Sequence, residues 1–208
     1  MNRLLGIAFS AVVFLAASHA FSPRPAPVFP ATAVEINTLL LLGAAQAGDR
    51  IVSAGERGHI FISDDRGRTW RRAKTPTSST LTALYFHDAR HGWAVGHDAV
   101  ILHSEDGGET WRQTHYAPQE QKPLLDVWFG NELKGYAMGA YGSFYETADG
   151  GKTWWPRKIL NSDMHINSLA RAADGKLFIA GEAGTLQRSR DGGQTWEALV
   201  SPYQGSFF

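Results

Sequence analysis

The stretch SEDGGETW, Ser104–Trp111, is a polar turn that ends on the largest side chain available. Three close copies exist: SDDRGRTW from Ser63, TADGGKTW from Thr147 and SRDGGQTW from Ser189. Their spacings are 41, 43 and 42 residues. A period near 42 marks stacked supersecondary units and is the first thing to settle in any reading.

Around each copy lie four short runs with β character. In the second unit they are LTALYF (from Leu81), HGWAVG (from His91), AVILHS (from Ala99) and TWRQT (from Thr110). The third has LLDVWF, KGYAMG, GSFYET and TWWPRK, and the fourth INSLAR, GKLFIAG, GTLQRS and TWEALV. The first begins with an apolar run around Leu39 to Leu42 and continues DRIVSAG, GHIFIS and TWRRAK. Beyond the N-terminal apolar run, no segment keeps a 3.6-residue period over a helix length. Four-stranded units of this length predict an all-β protein, a β-propeller with four complete blades, as part of a larger ring.

The box then has a structural explanation. It is the hairpin between strands C and D. Its first residue (Ser63, Ser104, Thr147, Ser189) and its aspartate (Asp65, Asp106, Asp149, Asp191) hydrogen-bond within the turn. Its glycine (Gly67, Gly108, Gly151, Gly193) takes a positive φ. Its tryptophan (Trp70, Trp111, Trp154, Trp196) opens strand D and buries a large surface. A calcium loop is the weaker alternative, because the bidentate glutamate at the twelfth position and the flanking helices are missing. The B-to-C connections GERG, GHDA, GAYG and GEAG are tight hairpin tips. They are not phosphate loops, since a strand follows and no Lys-Ser/Thr pair is present.

Composition excludes several classes. With 20 basic and 20 acidic residues, no field points to nucleic acid. The absence of cysteine removes disulfides, thiolate metal sites and cysteine nucleophiles. The histidines His87, His91, His97 and His103 do not align as a set. His103 takes the slot of Glu146 and Arg188, expected to be a solvated face, and His91 a solvated turn. No metal and no cofactor are expected.

The N-terminus predicts an export signal over residues 1–20. Arg3 precedes the apolar run Leu4–Ala17, and Ser18 and Ala20 mark a cleavage site. The run is shorter than a bilayer span. FSPRPAPVFP opens a proline-rich linker over 21–35. The mature chain is thus expected in the periplasm or outside the cell, without insertion into a membrane. Blades are expected over about 36–76, 77–118, 119–161 and 162–200, with a fifth beginning at 201–208 as SPYQGSFF. That leftover favours a partial propeller over a closed four-blade ring.

The boxes resemble the Asp-box, or BNR, repeats of sialidase-like propellers. GERGHIFISDDRGRTW, HGWAVGHDAVILHSEDGGETW and AGEAGTLQRSRDGGQTW more closely resemble the photosystem II stability and assembly factor family. The resemblance implies a propeller, usually of seven blades, that assembles or binds without catalysis. It implies protein partners, including a membrane-protein complex. A sialidase-like hydrolase or carbohydrate binder is the alternative. Its Phe/Tyr-Arg-Ile-Pro motif and recurring arginine set are absent, and SPRP at Ser22 is only an echo.

In such a propeller the B-to-C tips and D-to-A connectors share one face. That face is expected to present Glu56, Arg57, His97, Asp98, Tyr116, Tyr141, Asp163, His165, Glu182 and Tyr203. Arg57, Tyr141 and Tyr203 are the leading partner contacts, because arginine and tyrosine favour interface hot spots.

Overall fold

The computed structural model describes residues 36–207. The expected export signal over 1–20 and the proline-rich linker over 21–35 lie outside them. Strands pair only with their neighbours in sequence, forming four antiparallel four-stranded sheets. The first sheet contains β1 (Leu41–Ala47), β2 (Arg50–Gly55), β3 (Ile60–Ser63) and β4 (Arg71–Arg72). The second contains β5 (Leu81–Phe86), β6 (Gly92–Gly96), β7 (Ile101–Ser104) and β8 (Arg112–His115). The third contains β9 (Leu124–Phe129), β10 (Gly135–Gly139), β11 (Phe144–Thr147) and β12 (Trp155–Pro156). The fourth contains β13 (Ile166–Arg171), β14 (Leu177–Gly181), β15 (Leu186–Ser189) and β16 (Glu197–Ala198). These are propeller blades. LTALYF, LLDVWF and INSLAR form strand A of their blades over their whole length.

The middle strands β6 and β10 are covered on both faces and are apolar almost throughout rather than alternating with polar residues, whereas β14 and β15 of the fourth blade keep half-buried positions. In β6, Ala94 packs back on the first blade, while Trp93 and Val95 pack forward on the third. The same alternation gives three cores, one per junction: Val52, Ile62, Leu102 and Trp111 between blades one and two; Trp93, Phe129 and Trp154 between two and three; Tyr136, Phe144 and Ile179 between three and four. None of these clusters joins the fourth blade to the first among the described residues.

The boxes close by one repeated set of bonds. Ser104 Oγ donates to Asp106 Oδ1 (2.9 Å) and accepts from Gly108 N (2.9 Å), while Asp106 accepts from Thr110 N (3.0 Å) and Oγ1 (2.6 Å). Gly108 has φ 87°, a left-handed value that this turn requires. Trp111 Nε1 then donates to Gly108 O at 2.9 Å. The tryptophan stands one residue before strand D instead of opening it. Trp111 and Trp154 are buried, whereas Trp70 and Trp196 are only partly so.

The tips are two-residue turns with positive φ at both central positions, the primed geometry that fits strand twist. Asp98 (φ 59°) and Ala99 (φ 51°) form one of them, closed by Val100 N donating to His97 O at 3.1 Å. The glycine before each tip permits close approach. A Cβ on Gly96 would lie 2.0 Å from Thr80 O, just ahead of strand β5.

His103 corrects the sequence reading. It is buried, not solvated, and its ring lies against Trp93. The slot faces the third blade, so a flat ring there is sealed by the neighbouring indole.

Candidate protein-docking face

The meander puts the boxes and A-to-B turns at one end of each blade, and the tips and D-to-A connectors at the other. The ends are tied separately. Gly150 N of the third box donates to Leu133 O in its A-to-B turn at 2.9 Å. Gly142 N of the third tip donates to Met164 O in the following connector at 3.0 Å. The candidate residues all lie on the tip end, but they do different work.

Three of them hold the frame. Glu56 Oε1 accepts from Leu40 N (3.1 Å), and Glu182 Oε2 from His165 N (3.2 Å), pinning the chain just ahead of strand A. Asp98 Oδ2 accepts from Ser79 Oγ at 2.6 Å. Six point outward: Arg57, His97, Tyr116, Tyr141, Asp163 and Tyr203 are exposed. Tyr141 meets His165 edge-on at 5.1 Å, and Tyr203 meets Phe207 at 5.3 Å. Tyr141, Asp163 and His165 therefore lie in one neighbourhood. No ring or hydrogen-bond contact joins Arg57 to Tyr141 or Tyr203.

Sequence reasoning passed over two features. One is a cleft of about 440 Å³ beside the third tip, lined by Tyr141, Ser143, Tyr145, Lys122, Lys158 and Asp163 among others. Tyr145 OH donates to Glu120 Oε2 at 2.9 Å, and burial first, then this carboxylate, pushes its pKa up to about 12. The other is Asp126 on β9, at the position of Ala83 and Ser168 in the flanking blades. Its Oδ2 accepts from Leu169 N at 2.8 Å across the junction with blade four, and burial raises its pKa. Aligning the strands A position by position exposes that lone carboxylate.

The box carboxylates behave oppositely. At Asp65 hydrogen bonds from the Thr69 hydroxyl and amide hold the pKa at about 2. Among the described residues, no group of three or more His, Asp or Glu is placed to hold a metal. His97 sits at a tip while His91 and His103 lie toward the box end, so the histidines form no ligand set.

Comparison with known proteins decides the family. The family model described as photosynthesis system II assembly factor YCF48 matches residues 64–124 and 117–202. The chain belongs to this family. A relative, the photosystem II assembly protein Ycf48 of Thermosynechococcus vestitus, is 41% identical over 135 residues, covering 63% of this chain and 38% of its own. The photosystem II assembly lipoprotein Ycf48 of Prochlorococcus marinus is 39% identical over 142 residues, covering 66% and 42%. The chain thus spans about two fifths of the length of these curated relatives. Among solved structures, YCF48 bound to D1 peptide superposes with a TM-score of 0.62 at 20% identity, covering 77% of this chain and 54% of that one. An ancestral GH74 enzyme superposes with a TM-score of 0.66 at 13% identity, over 78% and 24%. At such identities the likeness is of fold alone. No helix among the described residues is long and apolar enough to cross a membrane.

Proposed function

We propose that this chain is an exported, non-catalytic propeller that binds a protein partner through its tip-and-connector face during assembly of a membrane-protein complex, as the photosystem II assembly proteins among its relatives are named. Family membership carries this reading, because every box is consumed by its own turn and the tips are what differ from blade to blade. Variable loops on a repeated frame suit recognition. Exposed Arg57, Tyr141 and Tyr203 are the proposed contacts, and His97 stands beside them as a further outward tip. Glu56, Asp98 and Glu182 support them from within.

Most glycosidases flank the scissile bond with two carboxylates, and sialidases use a tyrosine nucleophile instead of one of them. Glu56 and Glu182, the tip glutamates, are held by backbone amides. That disfavours the hydrolase reading for this face.

The same proposal includes an export signal over residues 1–20, a proline-rich linker to about residue 35, and four blades at the expected limits. It also includes a fifth strand A opening near Phe207. Asn167 Nδ2 donates to Phe207 O at 2.6 Å, as Thr82 Oγ1 donates to Leu124 O at 2.6 Å two junctions earlier.

The test is recovery of partners from the exported fraction with wild type and an Arg57→Ala/Tyr141→Ala/Tyr203→Ala variant of equal thermal stability. Loss of the same partners in the variant supports the face. Equal recovery refutes it, and turnover of a glycoside by the purified protein would replace it with the enzyme reading.

A further inference from the structure

At the A-to-B turn, the last cross-strand pair is the same in blades two and three. Phe86 stands opposite Gly92, and Phe129 opposite Gly135. Each phenyl ring covers its glycine: a Cβ on Gly92 would sit 2.4 Å from the Phe86 ring, and one on Gly135 2.6 Å from the Phe129 ring. Both rings meet the box tryptophan of the same junction edge-on at 5.9 Å, Phe86 with Trp111 and Phe129 with Trp154. The fourth blade inverts the pair, with Arg171 opposite Leu177. The bulky apolar member is now on strand B, where Leu177 is buried in the core shared with blade three. Arg171 is thereby released from packing and is exposed.

Beside Arg171 lies a cleft of about 230 Å³ at the box end. Trp128, Asn131, Lys134, Tyr136, Arg171 and Leu177 are among its lining residues, and no carboxylate is. Its wall is the half-buried Trp128, whose indole runs parallel to the Tyr136 ring, the planes inclined by 4°. Asn131 spends Oδ1 on Leu133 N (2.9 Å) and Lys134 N (2.8 Å), so its side-chain N–H groups are uncommitted. Arg171 has no hydrogen-bond or ion-pair partner among the described residues. Charges around the cleft are of both signs and paired: Lys134 with Glu146 at 3.9 Å, Arg157 with Glu146 at 3.0 Å and Lys176 with Asp174 at 2.5 Å. No net field selects a ligand there. Direction does: a free guanidinium is a planar fork matched to one carboxylate.

We propose that this cleft binds an acidic sugar ring of the uronic acid class, with its carboxylate on the Arg171 fork and its C–H-lined face on Trp128. Asn131 donates its free N–H groups to ring hydroxyls. An aromatic acid would use the plate and the fork but leave those N–H groups unanswered. With no carboxylate in the lining, the cleft holds the sugar without cleaving it. The site is at the opposite end of the blades from the tips, so it stands or falls independently of the docking face.

The test is saturation-transfer NMR on the full exported chain with D-glucuronate, and with D-glucose and benzoate in parallel. Glucuronate should bind saturably, with a Kd on the order of millimolar. Arg171→Gln, an exposed change, should weaken it about tenfold or more at unchanged melting temperature, as loss of a forked charged contact does. Arg171→Phe/Leu177→Gly rebuilds the pair of the other blades and should abolish binding; if it melts early, Arg171→Gln alone decides. Equal binding of glucose overturns the carboxylate assignment, and equal binding of benzoate overturns the sugar. Glucuronate binding that Arg171→Gln leaves unchanged overturns the site. Absence of a saturable glucuronate signal overturns the proposal outright.

Discussion

Trp93 and His103 stack face to face, ring centroids 4.9 Å apart and planes inclined by 3°. On its other side Trp93 lies against Phe129 at 3.5 Å, so the histidine is the outer plate of a stack that crosses the junction of blades two and three. Both ring nitrogens of His103 are buried without partners. Burial first lowers its pKa to about 4; nearby Glu105 opposes this, and Arg112, His91 and Lys152 reinforce it.

A pH prediction follows. The folded pKa lies below the unfolded value of 6.5, so the neutral ring contributes stability that is fully present above pH 6.5. That contribution is lost as pH falls through about 4. His103→Phe keeps the plate without the titration. Its melting temperature should fall less than that of wild type between these two limits. Parallel curves for both proteins would refute the assignment.

The box carboxylates set a lower window. Burial works against the Asp149 carboxylate, but hydrogen bonds from the Thr153 hydroxyl and amide, then Thr147, outweigh it and hold the pKa at about 2. Its stabilisation is present above the ordinary value of 3.8 and lost as pH falls toward 2. Asp149→Asn should be less stable at neutral pH and lose less on acidification. Denaturant midpoints at both pH values measure this.

Box tryptophans should matter through burial. Trp111→Ala removes a 6% exposed indole from the first junction and should cost about 3–5 kcal/mol. Trp70→Ala, at a half-buried site, should cost distinctly less. Equal losses in urea unfolding would contradict the packing described.

Arg157 replaces a bond that the other boxes make for themselves. Trp70, Trp111 and Trp154 donate Nε1 to their own box glycine carbonyl. In the fourth box that carbonyl, Gly193 O, accepts from Arg157 Nη1 at 2.8 Å, and Trp196 Nε1 is buried without a partner. Arg157→Met should destabilise by about 1–2 kcal/mol, the scale of a partly buried charged hydrogen bond. It should also alter Trp196 fluorescence. An unchanged midpoint would show that the arginine bridges nothing of consequence.

Gly96→Ala should be among the most damaging small changes. The added methyl meets Thr80 O at 2.0 Å, and backbone cannot yield as a side chain does. Loss of folded protein in expression and melting assays is the expected outcome.

Fold and candidate site were legible to different degrees. Repetition made the blades readable, because four copies of one turn fixed both period and strand order. Strand D was read too long in three blades, since pairing at the outer edge stops one ladder bond after Arg72, Pro156 and Ala198, at Ala73, Arg157 and Leu199, for reasons of backbone path that side chains do not encode. His103 was misplaced because its slot holds Glu146 and Arg188 elsewhere, and only the packed neighbour reveals the seal. The tip residues were located correctly as tips. Their division into Glu56, Asp98 and Glu182 facing inward and Tyr141 facing outward needed distances. The cleft beside Tyr141 arises where the chain departs, so no residue type announces it.

The purely sequential strand order has a kinetic consequence. Every sheet is made of consecutive strands, and each described core joins a blade to the next one along the chain. Loop closures are therefore short, and no pairing waits for a distant segment. A chain emerging N-terminus first from a translocation channel can complete the first junction once Trp111 has passed, while Trp196 is still some 85 residues behind in an unfolded thread. In the exported chain proposed above, assembly would then advance as a ratchet, with each new blade trapping its predecessor on the far side of the membrane.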